Sequence, residues 1–375
     1  MSDLPATGAW REGDAPGARR FVTFDDGLAL ETGGRLDTVT AAFETWGTLA
    51  PDQSNAVLVL HALTGDSHAA GTAGPGHGDV GWWDGTIGPG AAIDTDRYFV
   101  VCPNVLGGCQ GTTGPASNRP GTDLPYGSSF PRTTIRDQVA LEVVLADALG
   151  IERWNAVVGG SMGGMRVLEW AVTYPSRVSR AIVISVGAQA TAEQIALSSL
   201  QMRVIRADPK WRGGDYYDAE PGDGPHVGLS IARGIGQVSY RSELELAARF
   251  GRNHQEGEEP FGGGRYAVES YLDYHGEKLV RRFDANSYLV LSEAMNHHDV
   301  GRGRGGIASA LAQVTAKVRI AGMSSDSLYP LRLQQELGEL IPTATAVDVV
   351  DTIAGHDGFL VEAQAIGEFI RRALD

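Results

Sequence analysis

A chain of 375 residues with 31 basic against 46 acidic side chains, a formal charge of −15, is long enough for a large core and too acidic for a general nucleic-acid or anionic-membrane binder. Its two cysteines, Cys102 and Cys109, are too few for a disulfide framework or a thiolate metal cluster. Acidic residues early in the chain, with no basic segment leading into an apolar core and no run of transmembrane length, give the expectation of a soluble cytoplasmic protein.

Apolar runs predict strands over Thr38–Trp46 and Ala56–Leu60. The second runs into His61-Ala62-Leu63-Thr64-Gly65, a short turn rich in small residues. His61, Asp66 and His68 match no zinc spacing, so no metal is expected there. A third strand is predicted at Tyr98–Val101. Next, Ile135–Leu149 reads as a helix with an apolar stripe of Val139, Val143, Leu145 and Leu149, and Gly150 is positioned to end it. Strands alternating with helices imply a mostly parallel sheet covered on both faces.

The strand Asn155–Val158 leads into Gly159-Gly160-Ser161-Met162-Gly163, and a helical pattern follows through Ala171. A small hydroxyl between glycines at a strand-to-helix junction is the nucleophile-elbow pattern, in which the glycines remove Cβ atoms that would collide at a strained turn. Another strand is predicted at Ala181–Val186. The alternation then stops until about residue 303. Leu197–Ile205 and Ser242–Phe250 read as amphipathic helices, and Gln255–Gly264 as an exposed loop. Residues 1–185 and 303–375 are therefore expected to form an α/β core carrying residues 186–302 as an inserted helical cap. Arg302-Gly303-Arg304-Gly305-Gly306 is read as a boundary hinge and not as an RNA-binding element.

The last two predicted strands are Val318–Ala321 and Ala346–Val350. A serine hydroxyl needs a base to take its proton and an acid to orient that base, and in this type of fold they follow in the order Ser, Asp or Glu, His. Of nine histidines, His356 alone follows the last predicted strand. Asp326 lies in the turn after the penultimate one, which is a better position than those of Asp299, Asp348 or Asp351. For the amides that would hold an oxyanion, the residue after the serine, Met162, and Leu63 in the early turn are the candidates.

Five blocks extend beyond the elbow: HALTGDSHAAG from His61, the long GWWDGTIGPGAAIDTDRYFVVCPNVLGGCQGTTGP from Gly81, GGSMGGMRVLEWA from Gly159, ARGIGQVSYRS from Ala232 and AGHDGFL from Ala354. With these the chain resembles the homoserine O-acetyltransferase family of α/β-hydrolase-fold enzymes. Gly234 and Gln237 depart from the bulkier and more basic residues expected of that family. The resemblance implies Ser161 as nucleophile, Asp326 as orienting acid and His356 as general base. It implies Arg233 and Asp357 as ligands of the substrate amino acid, with Tyr240 and Thr64 as neighbours.

It further implies ping-pong transfer of acetyl from acetyl-CoA to L-homoserine for methionine synthesis, with no permanently bound cofactor and a homodimer joined through cap helices. The residues themselves leave other chemistries open: a succinyl donor, a serine acceptor, or plain ester hydrolysis. A binding protein without catalysis has no need of Ser161, Asp326 and His356 together.

Overall fold

The computed structural model describes residues 3–375. Eight strands form one sheet: β1 (Arg20–Phe24), β2 (Val39–Trp46), β3 (Ala56–Leu60), β4 (Phe99–Pro103), β5 (Ala156–Gly160), β6 (Arg180–Ile184), β7 (Lys317–Met323) and β8 (Asp348–Val350). Their spatial order is β1-β2-β4-β3-β5-β6-β7-β8. The β1–β2 and β2–β4 pairs are antiparallel. From β4 to β8 every pair is parallel.

The central strands are apolar along their whole length because each face of the sheet meets its own core. In β3, Leu58 and Leu60 enter one cluster with Val139, Met165 and Leu168, while Val57 and Val59 enter another with Ile366, Phe369 and Ile370. The helices of the first face are α1 (Ile135–Ala148) and α2 (Met162–Thr173). Thr134 caps α1 through the Asp137 amide, and Gly150, at φ +74°, takes the left-handed conformation that ends it.

All seven expected strands are present. The unanticipated strand is β1, a sheet edge whose residues stay exposed or half-buried, so it lacks the apolar run that marks its buried neighbours. Two ribbons, pairing Leu28–Ala29 with Arg35–Leu36 and Ile87–Gly88 with Ile93–Asp94, are two residues per strand and equally silent in the sequence.

Between β6 and β7 the chain is helical: α3 (Ala192–Ala207), α4 (His226–Tyr240), α5 (Glu243–Arg249), α6 (Ala267–Val280), α7 (Ala285–Asn296) and α8 (Ile307–Leu311). Helix α3 begins five residues before the apolar pattern suggests, because Thr191 and Gln194 form a capping box. The amino-terminal segment also packs here, with the Thr7 hydroxyl donating to Asp284 at 2.8 Å. Three further helices follow: α9 (Leu331–Leu340), α10 (Gly358–Val361) and α11 (Ala363–Leu374).

The arginines of the 302–306 stretch are held as structural cations. Arg302 pairs with Glu31 at 2.8 Å and Arg304 pairs with buried Glu169. Both cysteines are free and buried.

Removing one core side chain from the central strand tests this layering. Leu58→Ala is expected to lower unfolding stability by about 2–5 kcal/mol through lost burial and a residual cavity, read as a shifted urea midpoint with an unchanged slope.

Candidate active site

Ser161 joins β5 to α2 at φ +57°, ψ −125°, a conformation that L-residues with side chains rarely adopt. Crowding holds it there. A Cβ on Gly163 would stand 2.1 Å from the Leu60 carbonyl oxygen, and one on Gly159 would stand 2.7 Å from the Gly163 carbonyl carbon. The glycines let α2 start against the ends of β3 and β5, which lifts the serine hydroxyl clear of the backbone.

His356 Nε2 lies 2.9 Å from Ser161 Oγ, and its Nδ1 lies 2.7 Å from Asp326 Oδ2. Asp326 has two partners, since its Oδ1 accepts the Tyr329 amide at 2.8 Å. The carboxylate is thus fixed by the turn after β7 before it meets the imidazole. Tyr329 stacks on the His356 ring at 4.9 Å, and Phe359 meets it edge-on at 5.5 Å.

Burial opposes charge on His356. The charge of Asp326, its hydrogen bond and the nearby Asp357 outweigh that opposition and raise His356 above its usual range.

The other sequence candidates are engaged elsewhere. Asp348 pairs with Arg372, Asp351 accepts from Ser324, and Asp299 caps the Gly301 amide. His226 and His298 bond backbone carbonyls of Pro5 and Gly187. His68 pairs with Glu44 and not with His61.

Ser161 and His356 open into a cavity of about 110 Å³, shared by Leu63, Thr64, Arg233, Tyr240 and Asp357. Arg233 reaches the Thr64 hydroxyl at 3.4 Å and lies over the Tyr240 ring at 5.4 Å. The amides of Leu63 and Met162 have no hydrogen-bond acceptor among the described residues. Asp357 is ion-paired with Arg241 at 3.2 Å, and Arg241 also holds Glu245. Burial raises the Asp357 carboxyl against the opposing pull of Arg241 and Arg233.

Sequence reasoning missed Tyr329, Arg241 and the apolar wall formed by Leu197, Met295, Leu328 and Leu360. Tyr329 lies three residues beyond Asp326 in the same turn, and that spacing was its one local signal. Gln237, which departs from the family pattern, is fully buried and donates to the Tyr271 hydroxyl at 2.7 Å. At Gly234 a Cβ would meet nothing within 4 Å.

The arrangement suits acyl transfer: a hydroxyl, an imidazole able to take its proton, a carboxylate stabilising the imidazolium and unpaired amides nearby.

A family model described as the α/β hydrolase fold matches residues 55–363. The chain is 60% identical over 371 residues to a homoserine O-acetyltransferase of Thermobifida fusca, covering 99% of this chain and 97% of that protein. Among solved structures it is similar to a homoserine O-acetyltransferase from Bacillus anthracis, with TM-score 0.86, 29% identity, and coverage of 95% of this chain and 97% of that one. It is also similar to esterase E22, with TM-score 0.85, 28% identity, and coverage of 95% and 99%. The same backbone thus accompanies both transferases and esterases.

If neutral His356 is the working base, kcat/KM rises with pH through the raised His356 pKa, above the 6.5 of an ordinary histidine. In Asp326→Asn the supporting charge is gone and burial remains. The acid limb should move to lower pH while kcat falls by about 10⁴-fold. A pH-rate profile with an unmoved limb would contradict this assignment.

Proposed function

Because the chain belongs to the α/β-hydrolase fold family and, within it, to the homoserine O-acetyltransferases, we infer that it moves an acetyl group from acetyl-CoA to the hydroxyl of L-homoserine. The observation that carries the mechanism is the continuous hydrogen-bonded chain from Ser161 through His356 to Asp326.

His356 takes the Ser161 proton as Oγ attacks the thioester carbonyl, and the amides of Leu63 and Met162 receive the developing oxyanion. The C–S bond breaks, protonated His356 supplies the proton to the leaving thiolate, and acetyl-Ser161 remains. His356 then takes the homoserine hydroxyl proton for the second attack. Collapse of that intermediate gives O-acetyl-L-homoserine and frees Ser161.

The acceptor is a zwitterion, and Arg233 and Asp357 supply one charge for each end. Arg233 is suited to a carboxylate by its planar fork. Asp357, paired with Arg241, faces the ammonium, whose positive charge favours its carboxylate form against burial. Tyr240 and Thr64 steady Arg233.

Charge accounting also favours acetyl over succinyl. Apart from the His356 imidazole, Arg233 is the one cation lining the cavity among the described residues. A succinyl carboxylate beside Leu197, Met295, Leu328 and Leu360 would therefore be a desolvated charge with no second cation to meet it, only neutral donors such as Gln194, Ser198 and Ser292. Residues 186–302 act as a cap that excludes water, so that a positioned hydroxyl outcompetes it by effective concentration. This separates transfer from the hydrolysis that the esterase-like backbone would equally accommodate.

The same helices expose apolar residues: Val227, Ile231 and Val238 of α4 with Leu200 of α3 and Leu244 of α5. Such a patch suits pairing with a second copy, and it gives the homodimer a surface next to the substrate pocket. Sizing with light scattering is expected to give a dimer, and Ile231→Asp should shift it towards monomer; a monomeric parent chain would rule the dimer out.

Intact-protein mass spectrometry after acetyl-CoA tests the chemistry. An acetyl adduct on Ser161, discharged by homoserine and missing in Ser161→Ala, is the expected result. A marked preference for succinyl-CoA, or discharge that ignores homoserine, would overturn it.

A further inference from the structure

The loop that follows β3 is held by its carbonyl oxygens. Arg166, on α2 and fully buried, donates one terminal N–H to Glu142 at 2.8 Å and another to the His61 carbonyl. Glu142 is itself fixed by the Trp170 indole at 2.7 Å. The His61 Nε2 accepts the Val105 amide at 3.1 Å, which leaves the proton on Nδ1, and Nδ1–H donates to the Ala62 carbonyl at 2.8 Å. From the other side Arg282, in the turn between α6 and α7, donates to the Thr64 carbonyl at 2.8 Å. The oxygens of residues 61, 62 and 64 are all tied down.

In a trans peptide the C=O of one residue and the N–H of the next point in opposite directions. The Ala62 oxygen is held both by the His61 ring and by the Gly65 amide at 2.9 Å, and together they fix the direction of the Leu63 N–H, which has no acceptor of its own among the described residues. Burial, followed by the nearby Arg166 charge, keeps His61 well below its ordinary pKa. The ring stays neutral with one N–H to give.

We propose that Arg166, anchored by Glu142, and Arg282 are positioning residues that clamp the His61–Thr64 peptides from the core and from the helical insertion, aiming the Leu63 amide at the reacting carbonyl oxygen. Neither Arg166 nor Arg282 lines the cavity. A buried ion pair such as Arg166–Glu142 is costly to desolvate and is commonly replaceable by uncharged groups without loss of stability. Its position between the nucleophile helix and this loop gives it a use that stability does not. Arg282 extends the clamp to the cap, so the direction of one amide depends on how the helices sit.

The proposal rests on Ser161 being acylated with Leu63 as oxyanion donor, and the test separates the two. Rapid-quench mass spectrometry follows acetylation of Ser161 by acetyl-CoA in the parent chain and in Arg166→Met/Glu142→Gln, where glutamine still accepts from Trp170 and no lone charge is buried. Steady-state kcat and KM and the thermal midpoint are measured alongside.

Acetylation and kcat are expected to fall together by roughly 10²-fold, the scale of losing one oxyanion donor, with KM for acetyl-CoA unchanged. Arg166→Lys, which can keep one of the two partners, should recover part of the rate. Arg282→Met, at a half-buried position outside the core, should lose roughly tenfold. A folded double variant that acetylates at the parental rate overturns the clamp. No acetyl-Ser161 in the parent chain overturns the acyl-enzyme reading itself. A lower thermal midpoint with an unchanged rate per folded site would assign Arg166 to stability alone.

Discussion

Backbone crowding where α2 meets β3 and β5 is the constraint on which the site depends. With the Leu60 carbonyl oxygen only 2.1 Å from where a Gly163 Cβ would stand, only glycine lets the first turn of α2 pack this close to β3. The strained conformation of Ser161 lies where the chain turns into that contact. The residue after Leu60 is His61, so the strand end that crowds the elbow also launches the loop bearing Leu63. The proposed nucleophile and both proposed oxyanion amides are consequently built from two adjacent parallel strands. Their relative position is fixed by the Leu60–Gly159 register.

The remaining groups reach this point from the far side of the sheet. Asp326 leaves β7 and His356 follows β8, and they are joined by a 2.7 Å contact. The imidazole is then confined by Tyr329 and Phe359 on its faces and edge. Its raised basicity and its fixed orientation have the same origin, because the carboxylate that favours the imidazolium also holds the ring. Around it the acidic chain uses its cations sparingly. Arg241 is shared between Asp357 and Glu245, while Arg233 keeps its guanidinium towards Thr64 and the cavity. This division leaves one pocket cation facing the substrate space.

Much of this was legible because the relevant signals are local. A fully buried strand must be apolar on both faces, so Ala56–Leu60 and Ala156–Gly160 announce themselves. A serine between glycines announces a turn that only small residues allow. Edge strand β1 was not legible, since half-exposed residues carry no such pattern. Nor were the stacking of Tyr329 on His356 or the pairing of Arg241 with Asp357. These contacts join residues far apart in the chain, and their residue types are compatible with many other partners.

The sequence by itself determined the alternation of strands and helices, the elbow at Ser161, and the order in which Asp326 and His356 follow it. All three are written in short-range patterns that sterics and burial impose on a few neighbouring residues. Only the tertiary structure decided which charges neutralise one another, which rings enclose the imidazole, and which donors hold the loop beside Leu63. Those outcomes depend on distances between elements, and such distances are set when the sheet and the helices above it pack, not by any local run of residues.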